Sequence, residues 1–228
     1  MEAAGTGPRA PGPGAREADI APAPDPTQGR AGWTPADPGP LGLAGFAMTT
    51  FVLSMYNANL IHSGGLLVVL SLALAYGGIA QLLAGMWEFR TGNTFGAVAF
   101  SSFGAFWISY FILVRFIIVP KLIPAVDEAN AVAVYLYAWA IFTTYMFIAS
   151  LRTTAAVAAV FFLLAVTFWV LGIGNASLAG GTATTNGTIK LGGWLGLATA
   201  AVAWYASFAA VTNSTFGRVV LPVVPLKR

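Results

Sequence analysis

The chain has 228 residues, of which 57% are hydrophobic and 8% are charged. A typical soluble domain carries about 25% charged residues, because charged side chains solvate its surface, so this composition excludes most soluble enzymes and nucleic-acid binders. The formal net charge of +3 is too small for a basic surface that binds nucleic acid. The absence of cysteine and the single histidine exclude disulfides, cysteine-ligated zinc and histidine pairs as metal ligands. We therefore expect no cofactor, no metal site and no nucleic-acid partner.

Residues 1–40 differ from the rest of the chain in composition. They hold nine of the thirteen prolines, seven glycines and eight of the nineteen charged residues. Proline interrupts helices and strand ladders, and a segment with so few apolar side chains has little to bury. We predict a disordered, cytoplasmic N-terminal tail over residues 1–40, a transmembrane domain over 41–217, and a short cytoplasmic C-terminal tail over 218–228.

Long uncharged segments follow the N-terminal tail. A hydrocarbon core of about 30 Å requires about 20 apolar residues in a helix, and stretches rich in glycine, proline or arginine separate segments of that length. The pattern predicts an all-α integral membrane protein with six transmembrane helices. The predicted spans are Leu41–Ile61, Leu66–Trp87, Phe95–Leu113, Ala131–Ala149, Thr154–Gly174 and Leu191–Val211.

The distribution of Lys and Arg in the flanking segments predicts the orientation, since cytoplasmic flanks are enriched in these residues. With the N-terminus inside, the inner flanks hold six Lys or Arg residues and the outer flanks hold three, namely Arg115, Lys121 and Lys190. We therefore predict a multi-pass protein of the inner (plasma) membrane with both termini in the cytoplasm.

The polar side chains inside the predicted spans are almost all neutral. Asp, Lys, Arg and His are absent at mid-depth, and Glu88 and Arg115 lie at span ends where each can reach water. Buried ionisable groups mark proton relays and counter-ion sites, so none is predicted here. The neutral groups either line a solute pathway or form local hydrogen bonds to the helix backbone. The candidate solute-binding residues are Thr49, Thr50, Asn57, Gln81 and Ser102.

Four segments of the chain carry a resemblance to a known family. Residues 37–50 read DPGPLGLAGFAMTT, 76–90 read YGGIAQLLAGMWEFR, 92–107 read GNTFGAVAFSSFGAFW, and 216–222 read FGRVVLP. Together they resemble the acetate uptake transporter family, which includes the bacterial succinate–acetate permeases and fungal relatives. The similarity covers roughly residues 37–222 and leaves out the N-terminal tail.

The resemblance implies a six-helix protomer with its own pore, assembled as a homo-hexamer. In the family, a Phe, a Tyr and a Leu constrict the pathway for acetate and related small carboxylates near its middle. By motif these positions are Phe46, Phe103 and Leu164, so that a Phe stands here where the family has Tyr. Two further departures are Asp37 in place of the signature's opening Asn, and Tyr56 in place of a His near the end of the first helix.

These observations predict membrane transport of acetate, succinate and related carboxylates through a hydrophobically constricted, channel-like pathway. An apolar constriction resists the passage of hydrated ions, and without a buried carboxylate any proton coupling would travel on the substrate as the neutral acid. Two alternatives stay open at this point: a channel for formate, ammonia or urea, and a non-transporting membrane sensor. We predict no enzymatic activity, because the spans offer no nucleophile–base pair and no metal ligands at membrane depth.

Overall fold

The computed structural model describes residues 33, 35–62, 64–181 and 183–226, without the side chain of Ala125. The chain divides into two units, Met1–Thr34 and Pro35–Arg228, and the architecture that follows is that of the second unit. The predicted N-terminal tail lies, up to residue 32, outside the described residues, as do the last two residues of the predicted C-terminal tail.

The described part of the second unit contains six helices that are long and apolar enough to cross a membrane, as predicted. Its only β-type contact is an isolated bridge between Thr154 and Pro225. The helices are α1 (Gly39–Asn57), α2 (Gly65–Thr91), α3 (Thr94–Ile118), α4 (Ala125–Ser150), α5 (Ala155–Ala176) and α6 (Gly187–Phe216). The all-α, multi-pass membrane fold is therefore confirmed.

Local sequence signals determine several helix ends. Asn93, Thr154 and Asn186 precede α3, α5 and α6, and each side-chain oxygen accepts a hydrogen bond of 2.8–3.2 Å from the backbone N–H three residues later. Such caps satisfy N–H groups that have no partner within the helix. α2 ends before Gly92, whose φ of +78° lies in the left-handed region that glycine adopts without a steric penalty.

Several helices extend further than the predicted spans, whereas α1 ends at Asn57 rather than at the predicted Ile61. α4 begins at Ala125 rather than Ala131, because Asp127 and Glu128 lie in its first turn, where carboxylates interact favourably with the helix dipole. α6 is longer at both ends than the predicted span Leu191–Val211. Charged and polar residues thus mark the limits of the apolar segment, and the helix continues beyond them.

Two helices contain π-helical segments, which the sequence pattern did not predict. α2 is π-helical over Ala75–Ala80, and α3 ends in a π-helical turn over Leu113–Ile118. In the first segment, a Cβ at Gly77 would lie 2.8 Å from Cβ of Thr49 on α1 and 2.9 Å from Cδ1 of Trp107 on α3. This glycine therefore allows α2 to pack between α1 and α3.

The helices pack closely around an apolar interior. α1 packs along α6, α5 contacts both α4 and α6, and α2 packs on α3. The approach of α1 to α6 depends on glycine, since a Cβ at Gly193 would meet the backbone of Ala58, and one at Gly196 would meet the hydroxyl of Ser54. The beginnings of α1, α3 and α5 and the end of α6 surround a common space in the bundle.

Candidate solute pathway

Three apolar side chains from three different helices meet in the interior of the bundle. Phe46 of α1, Phe103 of α3 and Leu164 of α5 belong to one buried cluster and are 4%, 2% and 4% exposed. The ring centroids of Phe46 and Phe103 lie 5.8 Å apart. The structure thus brings together the three residues that the family motif indicated. These three residues are termed the central cluster.

A first cavity, of about 530 Å³, lies at one end of the bundle. Its walls come from the beginnings of α1, α3 and α5 and from the end of α6. Asp37, Glu88 and Asn93 add polar groups to a lining that is otherwise mostly apolar. Residues after α6, including Val223 and Pro225, close one side of it.

A second cavity, of about 690 Å³, lies at the opposite end of the bundle. The ends of α1, α3 and α5 and the beginnings of α4 and α6 form its walls. It is richer in hydroxyl and amide groups than the first cavity, but it has one carboxylate, Glu128, where the first cavity has two, Asp37 and Glu88. Its hydroxyl and amide groups belong to Tyr56, Asn57, Asn59, Tyr110, Tyr135, Asn175, Thr184 and Thr185.

The central cluster lies between the two cavities along all three of its helices. On each helix, residues of the first cavity precede the cluster residue and residues of the second cavity follow it. The nearest of them on either side are Leu43 and Leu53 on α1, Phe100 and Phe106 on α3, and Phe161 and Phe168 on α5. Apolar side chains therefore separate two cavities that lie at opposite ends of the same bundle.

Phe103 is the most densely surrounded member of the central cluster. The ring of Phe168 lies nearly parallel to it, at an interplanar angle of 8°. Six aromatic rings have centroids 5.4–6.5 Å from that of Phe103, namely Phe46, Phe106, Trp139, Phe142, Phe161 and Phe168. The position where the resemblance implies a Tyr in the family is therefore the centre of an aromatic cage in this chain.

Most of these aromatic neighbours were missed by the sequence analysis. A signal was present, because Phe106 follows Phe103 by three residues and Phe168 follows Leu164 by four, and these spacings place residues on one helix face. Trp139 and Phe142 come from α4, whose sequence carries no mark of its packing partners. Their contribution required the tertiary structure.

Among the candidate donors, Thr49, Thr50 and Gln81 are all buried but differ in their hydrogen bonds. Thr49 Oγ1 donates to the carbonyl oxygen of Gly45 at 2.9 Å and so bonds to its own helix. Thr50 Oγ1 and Gln81 Oε1 have no hydrogen-bond partner within the described residues. A buried polar atom without a partner costs about 1–3 kcal/mol, so Thr50 and Gln81 are the two candidates with most to gain from a polar solute. The Gln81 oxygen accepts a hydrogen bond, such as one from the O–H of a protonated acid.

The positions of Thr50 and Gln81 relate them to the central cluster. Thr50 follows Phe46 by one helical turn on α1. Gln81 lies on α2 against α1, since a Cβ at Gly45, the neighbour of Phe46, would lie 3.7 Å from the Gln81 Cβ. Both polar side chains are therefore adjacent to the apolar middle of the bundle.

The remaining candidates, Asn57 and Ser102, lie in different surroundings. Asn57 lines the second cavity beside Tyr56. Ser102 is half-buried on α3 and lines neither cavity. Of the five candidates, Asn57 lines one of the two cavities, and Thr49, Thr50, Gln81 and Ser102 line neither.

One carboxylate is buried beside the first cavity, which corrects the expectation that it lies in contact with water at a span end. Glu88 is 3% exposed. Its Oε2 accepts hydrogen bonds from Thr91 Oγ1 at 3.1 Å and from Asn93 Nδ2 at 2.9 Å. Because Asn93 also caps α3 through Gly96 N, the residue that begins this helix orients the carboxylate.

Comparison with known proteins assigns this arrangement to a family. Residues 22–228 match the GPR1/FUN34/yaaH family. The chain belongs to that family. It is 42% identical over 189 residues to the succinate-acetate/proton symporter SatP of Escherichia coli strain K12, which covers 82% of this chain and 95% of that protein. It is also 42% identical over 198 residues to acetate permease A of Emericella nidulans, covering 82% of this chain and 65% of that protein.

A solved structure shares the fold of this GPR1/FUN34/yaaH protein. The structure of the bacterial acetate channel SatP superposes with a TM-score of 0.73 at 39% sequence identity, covering 83% of this chain and 99% of that chain. The match therefore extends over nearly the whole of the solved chain. It confirms the resemblance that the four sequence segments indicated, and these three proteins are named as a symporter, a permease and a channel.

Proposed function

We propose that this protein transports acetate and related small carboxylates, including succinate, across a membrane. The observation that supports this most is the position of the central cluster between two cavities at opposite ends of one bundle. An apolar constriction resists hydrated ions but admits a small solute that can lose its water. The names of two relatives, a succinate-acetate/proton symporter and an acetate permease, supply the class of solute.

Polar groups next to the central cluster would replace the water that the solute loses. In this proposal, Thr50 and Gln81 offer a hydroxyl and an amide beside the cluster, and Asn57 offers an amide in the second cavity. The protonated acid carries an O–H donor and a carbonyl acceptor, so a hydroxyl and an amide can each form a hydrogen bond with it. Thr49 has a lesser role because its hydroxyl is bonded to its own helix, and Ser102 has a lesser role because it is only half-buried. Thr50 and Gln81 line neither cavity and act beside the central cluster.

The proton, in this proposal, crosses the central cluster on the acid itself. The cluster consists of two Phe and one Leu side chain and holds no ionisable group. Glu88 is a buried carboxylate at the first cavity and so lies at one end of the pathway, away from the cluster. The relative named as a proton symporter agrees with transport of acid and proton together.

We further propose an inner-membrane location with both termini in the cytoplasm, so that the first cavity opens to the cytoplasm. The excess of Lys and Arg in the flanks on that side supports this orientation. The homo-hexamer implied by the family resemblance is part of the same proposal. Val134, Ile141 and Ile148 of α4 are exposed and seven residues apart, and so form an apolar face suited to lipid or to neighbouring protomers.

A panel of solutes distinguishes this proposal from a channel for other small molecules. We expect proteoliposomes to take up labelled acetate and succinate, with unlabelled propionate competing and urea or ammonium having no effect. A faster flux of formate, ammonia or urea than of acetate would contradict the proposal. A non-transporting sensor would show no uptake of any of these solutes above that of protein-free vesicles.

A further inference from the structure

The chain does not leave the bundle after α6. Gly217, with a φ of +63°, ends this helix, and the backbone then reverses direction. Residues 219–226, termed the strap, run from the end of α6 to the beginning of α5. The predicted C-terminal tail is thus held to the bundle by hydrogen bonds over its described part.

Two side chains of α6 hold the first half of the strap. Asn213 Oδ1 accepts hydrogen bonds from the backbone N–H groups of Val220 and Leu221 at 2.7 and 2.9 Å. Asn213 Nδ2 donates to the carbonyl oxygen of Leu221 at 2.8 Å. Tyr205 Oη donates to the carbonyl oxygen of Pro222 at 2.6 Å. Four hydrogen bonds therefore fix the strap at this end.

The second half of the strap covers the N-terminus of α5. The carbonyl oxygen of Val224 accepts a hydrogen bond of 2.8 Å from Ala155 N, and Leu226 N donates to the carbonyl oxygen of Thr153 at 2.9 Å. These bonds occupy backbone groups that have no partner within the helix. Val224 has a φ of +51°, which is rare for a β-branched residue and persists only where the surroundings determine it.

The strap forms part of the lining of the first cavity. Val223 and Pro225 line this cavity together with Asp37 and Glu88. We propose that the strap is a fixed wall of the pathway. Val223 and Pro225 limit the size of the solutes that reach the central cluster. Asn213 and Tyr205 are positioning residues that hold Val223 and Pro225 in place. The inference rests on the proposed function in treating the first cavity as part of the pathway.

Cysteine labelling tests this inference without using transport. The chain contains no cysteine, so Ala210→Cys places a single thiol in the lining of the first cavity. In detergent, the purified full-length protein is labelled with N-ethylmaleimide and with a polyethylene-glycol maleimide. The ratio of the two rates reports how far the mouth of the cavity admits a bulky reagent.

Releasing the strap is expected to raise this ratio. Asn213→Ala removes three hydrogen bonds, and we expect an increase of about tenfold or more in the bulky-to-small ratio. Tyr205→Phe removes only the hydroxyl, and we expect an increase of about threefold to fivefold. Asn130→Ala, at an exposed position of α4, is the matched control and is expected to leave the ratio unchanged.

The ratio of the two labelling rates distinguishes a strap that limits access to the first cavity from a strap that only caps the N-terminus of α5. General loosening of the bundle would accelerate both reagents and leave the ratio unchanged, whereas an opened mouth accelerates the bulky reagent alone. An unchanged ratio in both strap variants would overturn the inference. If Asn213→Ala does not fold, Tyr205→Phe alone decides the outcome. Absence of acetate uptake by the wild-type protein would contradict the proposed function and leave the labelling result on the strap intact.

Discussion

Phe46 of α1 and Phe103 of α3 lie with their ring centroids 5.8 Å apart and their planes inclined at 59°. This contact joins two helices that each line both cavities, and Leu164 of α5 completes the apolar middle of the bundle. Because all three side chains are buried and none is polar, we expect their size to determine which solutes pass.

Shortening one member of the central cluster is expected to widen the constriction. Leu164→Ala should raise the ratio of succinate to acetate uptake several-fold in proteoliposomes. Leu67→Ala, at a residue that is 56% exposed on α2, is the matched control and should leave the ratio unchanged. Removing a buried leucine costs about 2–5 kcal/mol of stability, so thermal melting in detergent must show that the variant is folded. A folded variant with the wild-type ratio would show that Leu164 does not limit solute size.

Restoring the family residue at the centre of the aromatic cage is expected to raise acetate uptake. Phe103→Tyr adds a hydroxyl to an otherwise apolar constriction, which lowers the cost of stripping water from the solute. Phe208→Tyr, at a residue that is 61% exposed on α6, makes the same chemical change away from the cavities. Equal or slower acetate uptake by Phe103→Tyr would argue against desolvation at this position as the main barrier.

The hydroxyl of Thr50 is expected to matter for transport. Thr50→Val keeps the shape of the side chain and removes a hydroxyl that has no partner within the described residues. We expect acetate uptake to fall about threefold to tenfold, since a hydrogen bond between neutral groups contributes about 0.5–1.5 kcal/mol. Thr143→Val is the control, because the Thr143 hydroxyl is buried and donates to the carbonyl oxygen of Trp139 at 2.7 Å. A similar fall in both variants would indicate a general effect on packing.

Because α1 packs closely on the π-helical segment of α2, we expect even a small added side chain at this contact to lower the stability of the protein. A Cβ at Gly45 would lie 2.6 Å from the carbonyl oxygen of Tyr76, and a backbone atom cannot move aside cheaply. Gly45→Ala is therefore expected to destabilise the protein by about 1–3 kcal/mol, measured as a lower melting temperature in detergent. Gly187→Ala, where a Cβ meets nothing within 4 Å, should not lower it.

The six-helix fold was predictable from the sequence because charge is so unevenly distributed along the chain. The ends of the helices were less predictable. The charge of Asp127 and Glu128 suggested a loop, but both residues lie within the first turn of α4, where the helix dipole favours them. The π-helical segment around Gly77 depends on contacts with α1 and α3, and such contacts leave no periodic signal in the sequence.

The site was predictable only in part. A helix that is apolar on all sides does not reveal which face meets lipid and which meets a pathway, so Phe46, Phe103 and Leu164 were recognised through the family motif and not through their spacing. Thr49 and Thr50 are indistinguishable by composition, and only the structure shows which hydroxyl is bonded to its own helix.

The most direct test of the account is the initial rate of labelled acetate uptake into proteoliposomes that contain the purified, full-length protein. The account predicts uptake clearly faster than into protein-free vesicles of the same lipid, and reduced by unlabelled propionate. Uptake by folded, incorporated protein that is no faster than in protein-free vesicles would contradict the proposal that the central cluster constricts a pathway for acetate.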